Sequence, residues 1–324
     1  MNQSAALYPW GDNEPFYSFS AMMKKKYGRR VQKISVDAGF TCPNRDGTKG
    51  VGGCTFCIND AFNPSYCTPT KTVRQQLEEG MEFHRKRYRR AEDYLAYFQA
   101  YSNTYKPIEE LDKLYHEALK VPGVSGLAIG TRPDCIDTEL IDYLANLSKS
   151  EIVLLELGVE SIYDQTLLRI NRGHDFETSI SAIQMAATAG LHVGIHLIFG
   201  LPGETKEMMI ESAAIISGLP VSSVKFHQLQ IIRNTVMEKE FLQNPDIFLQ
   251  FTLEEYIEFI ISYTERINPS IAIERFAGEV PPAFLHKAPW SRLRYDQLLN
   301  LIRNEMKSRN TRQGILCDLN QFSN

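Results

Sequence analysis

Three cysteines between positions 42 and 57 are the residues of this chain best suited to chemistry. The segment AGFTCPNRDGTKGVGGCTFCIND gives Cys42, eleven intervening residues, Cys54, two more, and Cys57. Six cysteines in 324 residues are too few for a disulfide scaffold, and the crowding of three points to metal chemistry in a reducing compartment. Two metal centres fit the spacing. A 4Fe-4S cube is held by Cys thiolates at its four iron corners, so three thiolates leave one iron open. An open iron can chelate the amino and carboxylate groups of a methionine moiety, which sets the sulfonium where an electron from the cluster breaks its carbon-sulfur bond. Tetrahedral zinc also takes CxxC ligands, with Cys67 available as a fourth thiolate. Gly47, Gly50, Gly52 and Gly53 let the backbone approach a bulky inorganic group. Phe56 is placed either to lie on an adenine or to anchor the loop in a core. Cys67, Cys135 and Cys317 have no role assigned by spacing.

These residues need a scaffold. At 324 residues and 43% hydrophobic composition the chain can bury a full core as one large domain. From residue 31, short β-branched runs alternate with amphipathic stretches, the pattern of βα units around a parallel sheet. Strands are expected at 31–37, 94–100, 125–130, 152–158, 192–200 and 223–230, with IAIERF (271–276) a candidate seventh. Val73, Leu77, Met81, His84 and Tyr88 recur at helical spacing, as do Leu140, Leu144 and Leu147, and both sets read as core-facing stripes. Further helices are expected from Glu177 to Ala189, from Glu204 to Ser217, and from Arg292 to Lys307. The one long connection, residues 38 to about 70, carries the cysteines and follows a strand's carboxyl end, where the reactive groups of β/α barrels gather.

YGRRVQKISVDAGFTCPNRDGTKGVGGCTFC resembles the signature of the YhcC/YtqA-type radical SAM proteins, relatives of the Elongator catalytic subunit. GTRPDC (130–135), LELGVES (155–161), INRGH (170–174), HLIFGLPGE (196–204) and ERFAGEVP (274–281) resemble Elongator-type core motifs in the same order. The resemblance implies an α/β fold, an incomplete (β/α)6 TIM-like barrel of the radical SAM type with short N- and C-terminal extensions. The expected boundaries are 1–30 for the N-terminal extension, 31–280 for the core barrel and 281–324 for the C-terminal helical extension. It implies a 4Fe-4S cluster on Cys42, Cys54 and Cys57, and S-adenosylmethionine in contact with Phe56, Glu160 and Arg172; no residue is singled out as catalytic. Glu160 is suited to accept hydrogen bonds from ribose hydroxyls or the methionine ammonium, and Arg172 to bond the methionine carboxylate. The activity implied is reductive cleavage of S-adenosylmethionine to a 5′-deoxyadenosyl radical, which abstracts hydrogen from a substrate. A low-potential electron donor of the flavodoxin or ferredoxin type would feed it. The substrate implied is tRNA, at the carbon-5 side chain of the wobble uridine, with carboxymethylaminomethyl converted to aminomethyl. A small molecule such as a tetrapyrrole and a zinc-stabilised RNA-binding module are the alternatives. Two departures stand out: Gly130 replaces the Glu that Elongator-type proteins carry before Thr-Arg-Pro-Asp, and the roughly forty residues after ERFAGEVP are too few for an acetyltransferase domain.

A formal net charge of -4 and pI near 6.0 give no overall pull toward polyanions, so nucleic-acid contact must come from a local patch. KKKYGRR (24–30) and HRKRYRR (84–90) are able to grip phosphates and stack on bases, although such runs are commonly solvated helix ends. His196 is expected to point into the barrel, either as a hydrogen-bonded core residue or as a substrate contact, and His227 and Gln228 carry the same choice. Cys135 reads as a small buried hydrophobe or as a hydrogen-atom donor. With no leader pattern and no apolar run near the roughly 18 residues of a membrane span, the chain reads as cytoplasmic and without a membrane partner.

Overall fold

The computed structural model describes residues 8–58, 61, 63–87 and 93–318. Among them, seven parallel strands form one sheet in chain order: β1 (Val31–Val36), β2 (Asp93–Phe98), β3 (Val124–Thr131), β4 (Ile152–Glu160), β5 (His192–Phe199), β6 (Ser223–Gln228) and β7 (Ala272–Arg275). Helix α1 (Phe19–Tyr27) precedes the sheet. The crossovers carry α2 (Val73–Arg87), α3 (Ile108–Leu119), α4 (Thr138–Leu147), α5 (Asp164–Arg169), α6 (Phe176–Thr188), α7 (Lys206–Ser217), α8 (Val236–Gln243) and α9 (Leu253–Arg266), and α10 (Tyr295–Ser308) follows β7. The six strands expected from β-branched runs all form, and IAIERF supplies the seventh. Among the described residues no helix is long and apolar enough to cross a membrane.

Successive strand residues point to opposite faces, and the two faces have different chemistry. Ile34, Val36, Phe98, Leu127, Leu155, Val193 and Phe226 face outward and pack under the helices in the main core. The inward face is layered. At the amino ends of the strands, Leu95, Ala128, Ile152, Leu154 and Ala272 meet Met22 and Met23 of α1, which plugs the lumen from below. Above that plug lies a layer of charge: Lys33 of β1, Glu156 of β4, Lys225 of β6 and Glu274 of β7.

This charged layer proves that the sheet curls. Six strand spacings of about 4.8 Å would hold β1 and β7 roughly 29 Å apart in a flat sheet, yet Lys33 Nζ lies 2.6 Å from Glu274 Oε2. Lys225 Nζ donates to Glu156 Oε2 at 2.6 Å and to the Tyr97 hydroxyl of β2 at 3.1 Å, and Lys33 also donates to Glu156. The strands therefore wrap about a shared lumen without closing. The free edge of β7 is taken by the segment before α1, where the Ile273 amide donates to Tyr17 O at 2.7 Å and Ser18 bridges Ile273. This segment covers the open edge, and α10 packs on α9.

Glu156 is almost wholly buried, with 3% of its side chain exposed. Burial alone would push its carboxyl up, but Lys225, Lys33 and then His196 pull it further down, so that it stays well below the ordinary carboxylate range. The stability this ionised group provides is complete above that range and is lost as pH falls through the depressed folded value. Glu156→Gln should lower folding stability by about 3–5 kcal/mol at neutral pH by leaving two buried lysines to share the single carboxylate of Glu274, and should remove part of the acid-side loss of stability. Urea midpoints across pH for both proteins check this; equal midpoints at pH 7 would contradict it.

Candidate metal and cofactor site

The cysteine loop follows the carboxyl end of β1, at the end of the barrel opposite the α1 plug. Cys54 and Cys57 close one turn, with the Cys57 amide donating to Cys54 O at 3.0 Å, while Cys42 O receives the amides of Arg45 and Asp46 at 2.8 and 3.1 Å. Gly53, at φ +77°, has no room for a Cβ, which would fall 2.6 Å from Arg45 Nε. Arg45 uses that space to donate to Cys57 O at 2.5 Å.

The INRGH segment after α5 clamps this loop. Asn171 adopts the left-handed region at φ 52° and donates from Nδ2 to Gly53 O at 2.8 Å and Val51 O at 3.3 Å. The Thr55 amide donates to Ile170 O at 2.9 Å, and Asn44 Nδ2 donates to Asn171 O at 2.5 Å. Gly173, at φ +77°, leaves room for Asn44, whose Oδ1 would lie 2.9 Å from a Cβ there. Arg172 then points inward. Its Nη1 donates to Cys54 Sγ at 3.5 Å, its Nη2 donates to Gly158 O, and Nη2 lies 3.5 Å from Glu160 Oε1.

Glu160 reaches that position through strained backbone. It sits at φ 67°, and the register of β4 against β5 slips between Gly158 and Glu160. A bulge of this kind re-aims a side chain, and such strain for a non-glycine residue costs of order 1–3 kcal/mol and concentrates at functional sites. Gly158 is needed for the same reason: a Cβ there would meet Glu160 Oε1 at 2.6 Å and Arg172 Nη2 at 2.7 Å.

Burial first, then Cys54, pushes the Cys57 thiol up to about 11 against the pull of Arg45, so without a cation this thiol keeps its proton; a metal bound there would deprotonate it outright. Burial opposes the charge on Arg172, but Cys54 and then Glu160 more than offset it, so the guanidinium stays protonated. Several polar atoms around the loop are sealed without a partner: Asn44 Oδ1, Asn103 Oδ1, Arg132 Nη1 and Arg172 Nε. Both the donor set and these orphaned atoms fit a sulfur-bound cluster with a polar ligand beside it. Cys67 is not placed to complete a four-thiol zinc site: it lies in the outer core, with Asp37 and Lys71 as the charges that act on it.

The remaining sequence candidates divide. Phe56 is half-buried and packs with Leu167, Ile170, Leu201, Met237 and Phe248, so one face of its ring anchors the loop. His196 does face the lumen and bonds Glu156 Oε2 at 3.0 Å. Gln228 is held at both ends of its amide by Gly278. Cys135 sits on the short turn after β3, where burial and then Asp134 push its thiol up to about 12. Neither basic run lies near the cysteines. KKKYGRR leads into β1, and residues 84–87 end α2 on its return to β2, so both occupy the amino end of the sheet, roughly 20 Å along the strands from the site; residues 88–90 lie outside the described residues. Sequence reasoning missed Arg132, which is 3% exposed, forks onto Asp134 at 2.8 and 3.0 Å, and donates to Arg172 O at 2.7 Å. The signal was its place in a motif whose neighbours are buried.

The chain belongs to the radical SAM superfamily: residues 42–216 match the Radical SAM superfamily model, and residues 221–308 match the Radical_SAM C-terminal domain. A 4Fe-4S cluster and S-adenosylmethionine are the cofactors of that family. Within it, the chain is 31% identical over 308 residues to the uncharacterized protein YtqA of Bacillus subtilis, covering 95% of this chain and 94% of that one. It is 32% identical over 180 residues to a tRNA uridine(34) acetyltransferase of Methanocaldococcus infernus, covering 54% of this chain and 32% of that protein. The solved structure of Methanocaldococcus infernus Elp3 with an N-terminal deletion shares the fold at a TM-score of 0.62 and 20% identity, covering 89% of this chain and 64% of that one. The resemblance to YtqA-type proteins thus extends over nearly the whole length.

If Asn171 fastens the cysteine loop, Asn171→Ala should free Val51 O and Gly53 O and loosen it by about 1–2 kcal/mol. Amide exchange at Gly53 and Thr55 should then quicken roughly tenfold or more, while exchange in β4 stays as in the parent. Unaltered exchange at both loop amides would show that the clamp lies elsewhere.

Proposed function

We propose that Cys42, Cys54 and Cys57 hold the 4Fe-4S cluster of a radical enzyme, and that Arg172, Glu160 and Phe56 receive S-adenosylmethionine beside it. The observation that carries this reading is the buried Arg172, which bonds the sulfur of Cys54 and pairs with Glu160. When bound, the cluster and S-adenosylmethionine supply reductive cleavage to a 5′-deoxyadenosyl radical, which takes a hydrogen atom from the substrate. The chain supplies the rest. Arg172 offers a fixed positive charge to the methionine carboxylate, and Glu160 offers acceptor oxygens to its ammonium or to ribose hydroxyls. The exposed face of Phe56 is left to lie on the adenine. The plug of Met22, Met23 and Leu95 keeps water from reaching the lumen from below. Electrons come from a low-potential donor of the flavodoxin or ferredoxin type.

For the substrate we infer tRNA, at the carbon-5 side chain of the wobble uridine, with carboxymethylaminomethyl converted to aminomethyl. Support comes from the core shared with the tRNA uridine(34) acetyltransferase. An anticodon-loop base is single-stranded and can be splayed into a barrel mouth.

Two experiments test this. Protein prepared without oxygen should hold about four irons and form 5′-deoxyadenosine on reduction. Cys54→Ala should lose both properties and Cys67→Ala should keep both; iron retained in Cys54→Ala would refute the ligand set. Separately, tRNA from cells lacking the gene should accumulate the carboxymethylaminomethyl nucleoside at the wobble position. An unchanged nucleoside profile, in a cell with no parallel route, would reject the tRNA assignment.

A further inference from the structure

Three arginines stand around the cysteine loop, and two of them are matched by carboxylates. Arg132 forks onto Asp134 at 2.8 and 3.0 Å, and Arg172 Nη2 lies 3.5 Å from Glu160 Oε1. Arg45 is the exception, because among the described residues no carboxylate forms an ion pair with it. The neighbouring Asp46 is spent on the Thr48 amide, at 3.0 Å. Arg45 is half-buried all the same, and a guanidinium keeps its charge in a protein.

Arg45 is wedged among the segments that carry all three cysteines. Its amide donates to Cys42 O at 2.8 Å, its Nη2 donates to Cys57 O, and its Nε and Cζ fill the space that Gly53 leaves open beside Cys54. The Tyr101 ring centroid lies 5.9 Å from its Cζ, so an aromatic face helps to hold the cation. Tyr101 reaches that place from the left-handed region, at φ 62°, an uncommon conformation for an aromatic residue.

The thiols divide between these arginines. Cys54 Sγ receives Arg172 Nη1 at 3.5 Å and Asn44 Nδ2 at 3.9 Å. Cys57, the least buried of the three, is served by Arg45, which acts on its thiol by charge and by hydrogen bond. Iron-sulfur potentials follow the net charge of the site, the hydrogen bonds to its sulfurs and its exposure to solvent. Reduction by one electron adds a negative charge to a place that already holds thiolates. A fixed positive charge beside them therefore favours the reduced state over the oxidised one, and partial burial keeps that attraction from being screened away. Arg132 and Arg172 contribute less, since each is offset by its own carboxylate.

We propose that Arg45 sets the reduction potential of the cluster, its unmatched charge beside Cys57 raising that potential toward the reach of the donor. The step is a single electron transfer, in which the low-potential donor loses one electron, the cluster gains it, and no bond forms or breaks. This assignment rests on the reading of Cys42, Cys54 and Cys57 as cluster ligands, and deepens it by naming a residue that governs reduction of the cluster.

The test is a potentiometric titration of the iron-loaded full chain without S-adenosylmethionine, with the reduced cluster read by electron paramagnetic resonance. Two variants separate the charge from the hydrogen bond. Arg45→Gln keeps a side-chain N–H for Cys57 O and removes the charge, whereas Arg45→Lys keeps the charge. At equal ambient potential, the ratio of reduced to oxidised cluster should fall about tenfold in Arg45→Gln, a shift of about 59 mV for a one-electron couple. In Arg45→Lys the ratio should stay within about twofold of the parent, roughly a third of that shift. A parental ratio in Arg45→Gln, an equal fall in both variants, or loss of iron from either variant, which would make Arg45 a staple of the loop, would overturn the proposal. Failure of the cluster reading has a different signature, because the parent chain would then take up no iron.

Discussion

The carboxylate of Glu156 takes hydrogen bonds from three strands besides its own: from Lys33 on β1, His196 on β5 and Lys225 on β6. Glu274 then accepts from the same Lys33, which joins the first strand to the last. A parallel sheet has no reason in its backbone alone to stop curling at a given radius, and these side chains set one. The consequence reaches the site. The loop after β1 carries the cysteines and the segment after β4 carries Arg172, and in a flat sheet those strands would lie about 14 Å apart. The curl brings Arg172 to 3.5 Å from Cys54 Sγ. Lys33 is further fixed by the ring of Phe19, 4.5 Å below it, so the plug and the charged layer support each other.

Buried charge is a costly way to fix a radius, since well-packed apolar residues of the same volume often hold a core equally well. Its use here places a polar layer directly beneath the mouth, where it orients His196 and so begins the chemistry of the lumen. The lumen thus runs from an apolar plug, through a matched set of charges, to imidazoles and amides at the reactive end. Backbone strain appears at the top of this sequence, in Glu160, where the bulge of β4 turns a carboxylate toward Arg172.

Much of this was legible in the sequence because the signals were local. Most strands are β-branched runs, β2 being an aromatic and aliphatic one (DYLAYF), and INRGH and LELGVES pointed to Arg172 and Glu160 through their resemblance to known motifs. The charged layer was not legible, because the pairing of Lys33 with Glu274 across 241 positions follows from curl and register, which no short window contains. Its trace was a charged residue inside an otherwise apolar strand, as in LLELG and SVKF. Arg132 was not singled out within GTRPDC for the same reason, since only the fold buries it. The basic runs were read either as phosphate-gripping patches or as solvated helix ends, and it is the direction of α1 and α2, rather than composition, that sends them to the far end of the sheet. Of the two readings of Phe56, packing against the Leu201 and Met237 cluster is the one the fold displays.

The proposed site is a three-thiolate cluster whose fourth iron is open to S-adenosylmethionine beside Arg172. Electron paramagnetic resonance of the reduced, iron-loaded protein tests it directly. A 4Fe-4S signal that shifts when S-adenosylmethionine is added, and that no longer shifts in Arg172→Ala although its iron content is retained, agrees with the account. A cluster signal indifferent to S-adenosylmethionine, or protein that takes up zinc and no iron under anaerobic reconstitution, would contradict it.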